Sequence, residues 1–228
     1  MQEQNFEEKV NEFIEKLKNF NPERLNRKIF NPWAQWDLED IGENAPIIRQ
    51  NNLKKYLLNS KNATYALIAE SPSTGARFSG VAMTSEKTIE QYGLDKKYGL
   101  EYSSKNQKKY KKGEITANKV WKEITKKDES KFVLWNAFAF NIVKDEKEKG
   151  EKEGAKKRWF ETPDKKELEA NYELLSDFLF LFPNIKIIAL GSTAKSALNA
   201  LGIEKFELVR HPSNDFKNEF PKQIAPYL

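Results

Sequence analysis

The first apolar pattern along the chain has helical spacing: Phe6, Val10, Phe13, Ile14, Leu17 and Phe20 recur at intervals of three and four. It predicts an amphipathic helix ending near Asn21-Pro22, with its aromatic stripe facing a core. Residues 26–46 carry Phe30, Pro32, Trp33, Trp36 and Pro46 without a period, which predicts an irregular segment pinned by aromatics. A second helix is predicted over about residues 47–58. From residue 66 the pattern changes to short apolar runs that stop at polar turn formers. Four such runs occur: Ala66-Leu-Ile-Ala-Glu-Ser-Pro72, Phe132-Val-Leu-Trp-Asn136, Ile187-Ile-Ala-Leu-Gly-Ser192 and Leu208-Val-Arg-His-Pro-Ser-Asn214. Between them, Ser85 and Gly93 bound a short helix, and Thr162-Pro163 opens a longer one with Leu168, Tyr172, Leu175, Phe178, Leu179 and Phe182 on one side. That helix feeds a strand at 186–190. Gly191-Ser192-Thr193 then turns the chain into a helix over 194–201, closed by Gly202, and a last strand covers 205–209. Strands alternating with helices predict an α/β fold, a doubly wound three-layer sandwich around a central, mostly parallel sheet. In open sheets of this kind ligands bind beyond the carboxyl ends of the strands, where all four polar loops lie.

Composition narrows the chemistry. The 228 residues (26.5 kDa) suffice for one well-cored domain, read as 1–228 with polar insertions near 95–130 and 144–160. Cysteine is absent, which removes disulfides, thiolate metal sites, iron–sulfur clusters and cysteine nucleophiles, and suits a reducing compartment. With a single histidine, a two-histidine metal site is not available either, so neither a metal nor another cofactor is expected. No apolar run reaches 18 residues and the first residues lack an apolar h-region, so a cytoplasmic monomer without membrane attachment is expected. Net charge is +5 with a pI near 9.0, compatible with a polyanion partner. Lys105, Lys108, Lys109, Lys111 and Lys112 cluster without an acidic neighbour, either as phosphate contacts or as a solvated loop. The run from Lys144 to Arg158 mixes acids with its lysines and reads as a self-neutralising loop.

The four strand ends together resemble the uracil-DNA glycosylase superfamily, over roughly residues 45–214. Its first motif, of the type Gly-(Gln or Glu)-x-Pro, is matched by Ala69-Glu70-Ser71-Pro72, and its second by His211-Pro212-Ser213. Asn136 stands where that family places a base-reading asparagine, and the turn at Gly191-Ser192 falls within the likeness. The resemblance implies a DNA partner, a base flipped out of the stack, and cleavage of its N-glycosidic bond without a metal. It implies for His211 a neutral imidazole N–H that stabilises the departing base anion. Classical members have an aspartate before the motif proline; here that residue is Ser71, and the acid is Glu70, one position earlier. Glu70 then either positions water or ties the loop to backbone N–H groups. Ser73 replaces the tyrosine that packs against C5 of the base, which leaves room for a C5 substituent.

Phe78 and Met83 are candidates for the stacking face of the base, and each also suits a core. Ser192, Arg210, Ser213 and Asn214 are placed at the DNA. Phe216 is a candidate wedge for the gap left by the base, or part of an amphipathic C-terminal helix. The expected activity is excision of uracil or a C5-modified pyrimidine. Removal of a hypermodified cytosine from invading DNA is one rival, and a catalytically silent DNA-binding module is the other.

Overall fold

A computed structural model describes residues 5–21, 25, 27–105, 114–144 and 159–228. In chain order the elements are α1 (Phe6–Lys18), β1 (Ile29–Phe30), α2 (Ala45–Asn59), β2 (Tyr65–Ala69), α3 (Glu86–Tyr92), α4 (Leu94–Tyr98) and α5 (Ile115–Ile124). There follow β3 (Phe132–Asn136), β4 (Asn141–Lys144), β5 (Trp159–Glu161), α6 (Lys165–Ala170), α7 (Tyr172–Leu181), β6 (Lys186–Leu190), α8 (Ser192–Ala200), β7 (Glu207–Val209) and α9 (Phe220–Ile224).

The central sheet has the order β3-β2-β6-β7 with every pairing parallel, and β1-β4-β5 form a small antiparallel sheet beside it. Parallel strands buried on both faces read as continuous apolar runs, as Ala66-Leu-Ile-Ala69 and Phe132-Val-Leu-Trp135 do. Strand order reverses around β2: the chain first places β3 on one side of it and later β6 on the other. The carboxyl end of β2 is therefore a topological switch point, where a crevice opens between diverging connections.

Trp135 of β3 anchors one side of the core. Its ring stacks on Phe178 of α7 at 4.9 Å and meets Phe13 of α1 edge-on at 5.2 Å, while α8 packs against β6 and β2. β3 is an edge strand, and Tyr56 of α2 accepts a hydrogen bond from the Leu134 N–H through its hydroxyl. A long charged connection covers the front. Arg49, fully buried, donates to Asp40, to the carbonyls of Pro32 and Gln35, and to Ser103, pinning residues 32–40 over α2.

Several sequence expectations change. The long helix starts after Asp164, whose carboxylate caps Glu167 N–H while the Glu167 side chain returns to the Asp164 N–H, rather than at Thr162-Pro163. It breaks at Asn171, whose carboxamide bonds the backbone at Ala137 and Ala139. α8 begins two residues earlier than expected, at Ser192, and β7 starts at Glu207 rather than at 205. The irregular 26–46 segment contributes the short strand β1. Within the stretch expected as a polar insertion, α5 buries Val120, Trp121 and Ile124 in the core. Phe216 lies in a non-helical segment, 90% exposed, before α9.

Candidate active site

Four parallel strands deliver their polar ends to one edge. Ala69 and Asn136 are register partners, and the ladder runs on past them through Ala137 N–H to the Ala69 carbonyl and Phe138 N–H to the Glu70 carbonyl. These bonds fix Glu70 beside the base of the Asn136 side chain. On the other side of β2, β6 ends at Leu190 and Gly191 N–H bonds the Val209 carbonyl of β7, which brings His211 in beside the turn.

Gly191 is required there. Its φ is +89°, a region that L side chains rarely adopt, and an added Cβ would lie 3.0 Å from the His211 Cβ. The imidazole is half-buried. Its Nδ1 receives the Ser213 backbone N–H at 3.3 Å and lies 2.8 Å from the Ser213 hydroxyl. A nitrogen that accepts an N–H carries no proton, so the neutral ring bears its hydrogen on Nε2. Burial lowers the histidine pKa from its usual value, and the nearby Glu70 carboxylate acts in the opposite direction. Glu70 itself is held by Thr193 at the start of α8, whose hydroxyl donates to Glu70 Oε2 at 2.6 Å. The 3₁₀ turn after His211 is clamped from α5, where Lys119 Nζ donates to the carbonyls of Pro212 (2.9 Å) and Asp215 (3.2 Å).

Asn136 is 3% exposed and its Oδ1 has no hydrogen-bond partner. It borders a small cleft lined by Pro72, Arg77, Trp135, Pro32 and Trp33. A buried, unpaired acceptor in a mostly apolar wall that also carries Arg77 is an arrangement that orients a small polar ligand.

The structure thus brings together Glu70, Ser71, Asn136, Ser192, His211 and Ser213 at one sheet edge. Phe78 and Met83 are buried, at 1% and 2% exposure, and neither lines this cleft. Phe78 lies under the Arg77 guanidinium, 3.9 Å from its ring centre, and the Met83 carbonyl accepts from the Trp121 indole. Ser73 follows the cleft-lining Pro72, half-buried. Arg210 folds back on the Asn214 carbonyl, and both are exposed. Lys105 reaches the Leu38 carbonyl; Lys108, Lys109, Lys111 and Lys112 lie outside the described residues, as does most of the Lys144–Arg158 run. Thr193 and Trp33 carry parts of the site that the sequence reading did not assign. Thr193 could have been found as the hydroxyl following Ser192 at a helix start, whereas Trp33 reaches the cleft only through tertiary packing.

Among the described residues no cluster of three His, Cys, Asp or Glu could hold a metal ion, and no helix is long and apolar enough to cross a membrane. The parallel four-stranded sheet with its helical flanks and strand-end site is the uracil-DNA-glycosylase-like α/β fold. Among solved structures, wild-type SMUG2 of Pedobacter heparinus shares it with a TM-score of 0.62 and 17% identity, over 97% of this chain and 94% of that one. No protein-family model matches the sequence, and no curated protein is similar to it.

Proposed function

We propose that this chain is a DNA glycosylase that excises a flipped pyrimidine by N-glycosidic bond hydrolysis, leaving an abasic site. The observation that carries the reading is the Ser213 N–H directed at His211 Nδ1, which favours a neutral ring with its hydrogen on Nε2, on the same sheet edge as the unpaired Asn136 Oδ1. Breaking the bond between C1′ and the base nitrogen leaves the electron pair on the base, and the charge spreads to the ring carbonyl flanked by its nitrogens. The Nε2–H donates to that oxygen, and a neutral donor of this kind stabilises developing charge without surrendering its proton. Water adds to the cationic C1′, keeping one proton as the new C1′ hydroxyl, and its other proton neutralises the departed base anion by way of solvent. The Glu70 carboxylate, oriented by Thr193, supplies negative charge near the cationic sugar and a partner for the water. Asn136 reads the base edge: its carboxamide matches uracil in one orientation and cytosine after a half-turn.

The likeness to SMUG2 supports a DNA substrate, and Ser73 in place of a bulky residue leaves space at C5. The base is therefore uracil or a C5-modified pyrimidine, and a hypermodified cytosine of invading DNA is within the same reading. The deciding experiment measures abasic-site formation on single- and double-stranded DNA carrying each base, with chelator present. His211→Ala is expected to slow excision by about 10²–10³-fold while binding of intact DNA changes little. Binding without any abasic product would make the chain a silent DNA-binding module, the reading allowed by Ser71 in place of aspartate.

A further inference from the structure

The segment that carries His211 is weakly held by its own secondary structure. β7 has three residues, two of them exposed, on the outer edge of the sheet, and the 3₁₀ turn that follows covers Pro212–Asn214. Within the turn, the bond from the Asp215 N–H to the Pro212 carbonyl is long, at 3.4 Å. A short edge strand and one turn of 3₁₀ helix do not by themselves hold an imidazole to the fraction of an ångström that a catalytic donor needs. Gly191 N–H ties Val209 to β6, Gln223 accepts the Arg210 N–H, and the Asp215 carboxylate caps the Glu219 and Phe220 N–H groups at α9. These tethers join the turn to its own side of the site.

The tie to the other side comes through α5. Lys119 Nζ donates to the Pro212 carbonyl at 2.9 Å and to the Asp215 carbonyl at 3.2 Å, one inside the turn and one just past it. The same helix is fixed to the loop after β2, where Trp121, 1% exposed, donates its indole N–H to the Met83 carbonyl (3.2 Å) and the Thr84 hydroxyl (3.1 Å). Those acceptors follow directly on Val81 and Ala82, which line the cleft beside Asn136. Met83 itself holds φ +49°, a conformation that a residue with a side chain keeps where its surroundings fix it. One helix therefore spans the loop that borders the cleft and the turn that carries His211. An ammonium has donors and no acceptor, so its two charge-assisted bonds to carbonyls hold main chain, and they withdraw the cation from contact with phosphate.

We propose that Lys119 is a positioning residue for the reaction: through the Pro212 and Asp215 carbonyls it sets the turn so that the Ser213 N–H meets His211 Nδ1 and the Nε2–H faces the departing base. The inference rests on the glycosylase reading, in which that N–H is the donor, and adds the group that aims it.

His211 is the only histidine in the chain, so nitrogen NMR of the imidazole reports this one ring. At a pH well above the histidine range the parental protein is expected to show the Nε2–H tautomer alone. Lys119→Met, which keeps the stem and removes the cation, is expected to show both tautomers. Its kcat should fall about 10- to 100-fold, with KM, and Kd for DNA bearing a non-hydrolysable 2′-fluoro nucleotide, within about threefold of the parent. Should Lys119→Met fail to fold, Lys119→Gln, a neutral donor of shorter reach, is measured in its place and read the same way. A parental imidazole spectrum in the variant, or an altered spectrum with parental kcat, overturns the positioning role. Weakened Kd with unchanged kcat makes Lys119 a phosphate contact instead. If the parental protein excises no base, the glycosylase reading falls, and the imidazole spectrum alone decides whether Lys119 sets the ring.

Discussion

His211 and Asn136 have opposite needs at the same sheet edge. In the proposed reaction His211 has to stay neutral with its proton on Nε2, and the Ser213 N–H directed at Nδ1 together with burial favours both conditions. The folded pKa lies below the ordinary value of 6.5, so the unfolded chain takes up the proton first as pH falls. Stability from the buried neutral ring is thus complete above about 6.5 and declines below it, until the folded pKa is reached. Excision is expected to rise with pH through that lower value and then level off, and a pH–rate profile with its inflection above 6.5 would contradict the neutral-donor role. In the same proposed reaction Asn136 offers the base both a donor and an acceptor. Asn136→Asp keeps the shape but, when ionised, only accepts, so 4-keto bases should lose about 10²-fold or more in kcat/KM and 4-amino bases much less. Parental kcat/KM in Asn136→Ala would remove Asn136 from the base edge. Their positions at strand ends were legible in the sequence: Asn136 closes an apolar run, and His211 stands two residues past Val209 in a Pro-Ser turn. Trp33 was not, because it reaches the cleft from a segment remote in sequence and is brought there only by the fold.

Between elements, the site depends on how closely β6 and β7 bring their following turns together. Gly191→Ala places a methyl group against the His211 Cβ and puts alanine at φ +89°. The expected cost is about 1–3 kcal/mol of stability, with excision reduced further because His211 must shift. A Tm and rate equal to the parent would show that the turn relaxes freely. Local signals served well where capping chemistry decides a boundary: Ser85 accepts from Thr88 N–H and Gly93 closes α3 in the left-handed region, as the sequence predicted. They misled at Thr162-Pro163, where the Asp164-x-x-Glu167 capping box, also visible in sequence, provides two reciprocal hydrogen bonds against the proline's preset backbone angle. β1 escaped notice because a two-residue strand has no period; it exists through antiparallel pairing with β4, far along the chain.

At the scale of the molecule, the cleft is assembled from segments distant in sequence. Arg49 and Asp40, both without exposure, hold residues 32–40 in place, and Pro32 and Trp33 thereby close the side opposite the loop after β2. A buried pair of this kind is costly to break because the survivor is left charged and unpaired, so the cleft wall is as fixed as the sheet. Two groups of lysines differ in what occupies them. Lys119 is engaged with the turn after His211, whereas Lys105 opens the basic run that continues through Lys108, Lys109, Lys111 and Lys112. If that run contacts phosphates, each contact releases counterions, and log Kd against log salt on duplex DNA changes in slope by about 0.9 per contact. Replacing Lys108, Lys109, Lys111 and Lys112 by glutamine should therefore weaken binding uniformly across base substrates and flatten the slope by about two to four units. The excision rate at saturating DNA should hold if the run contributes phosphate contacts alone. An unchanged slope would make the run a solvated surface, and DNA would then have to be held by groups on the sheet edge itself: Ser192 at the start of α8, Ser213, and the exposed Arg210 and Asn214.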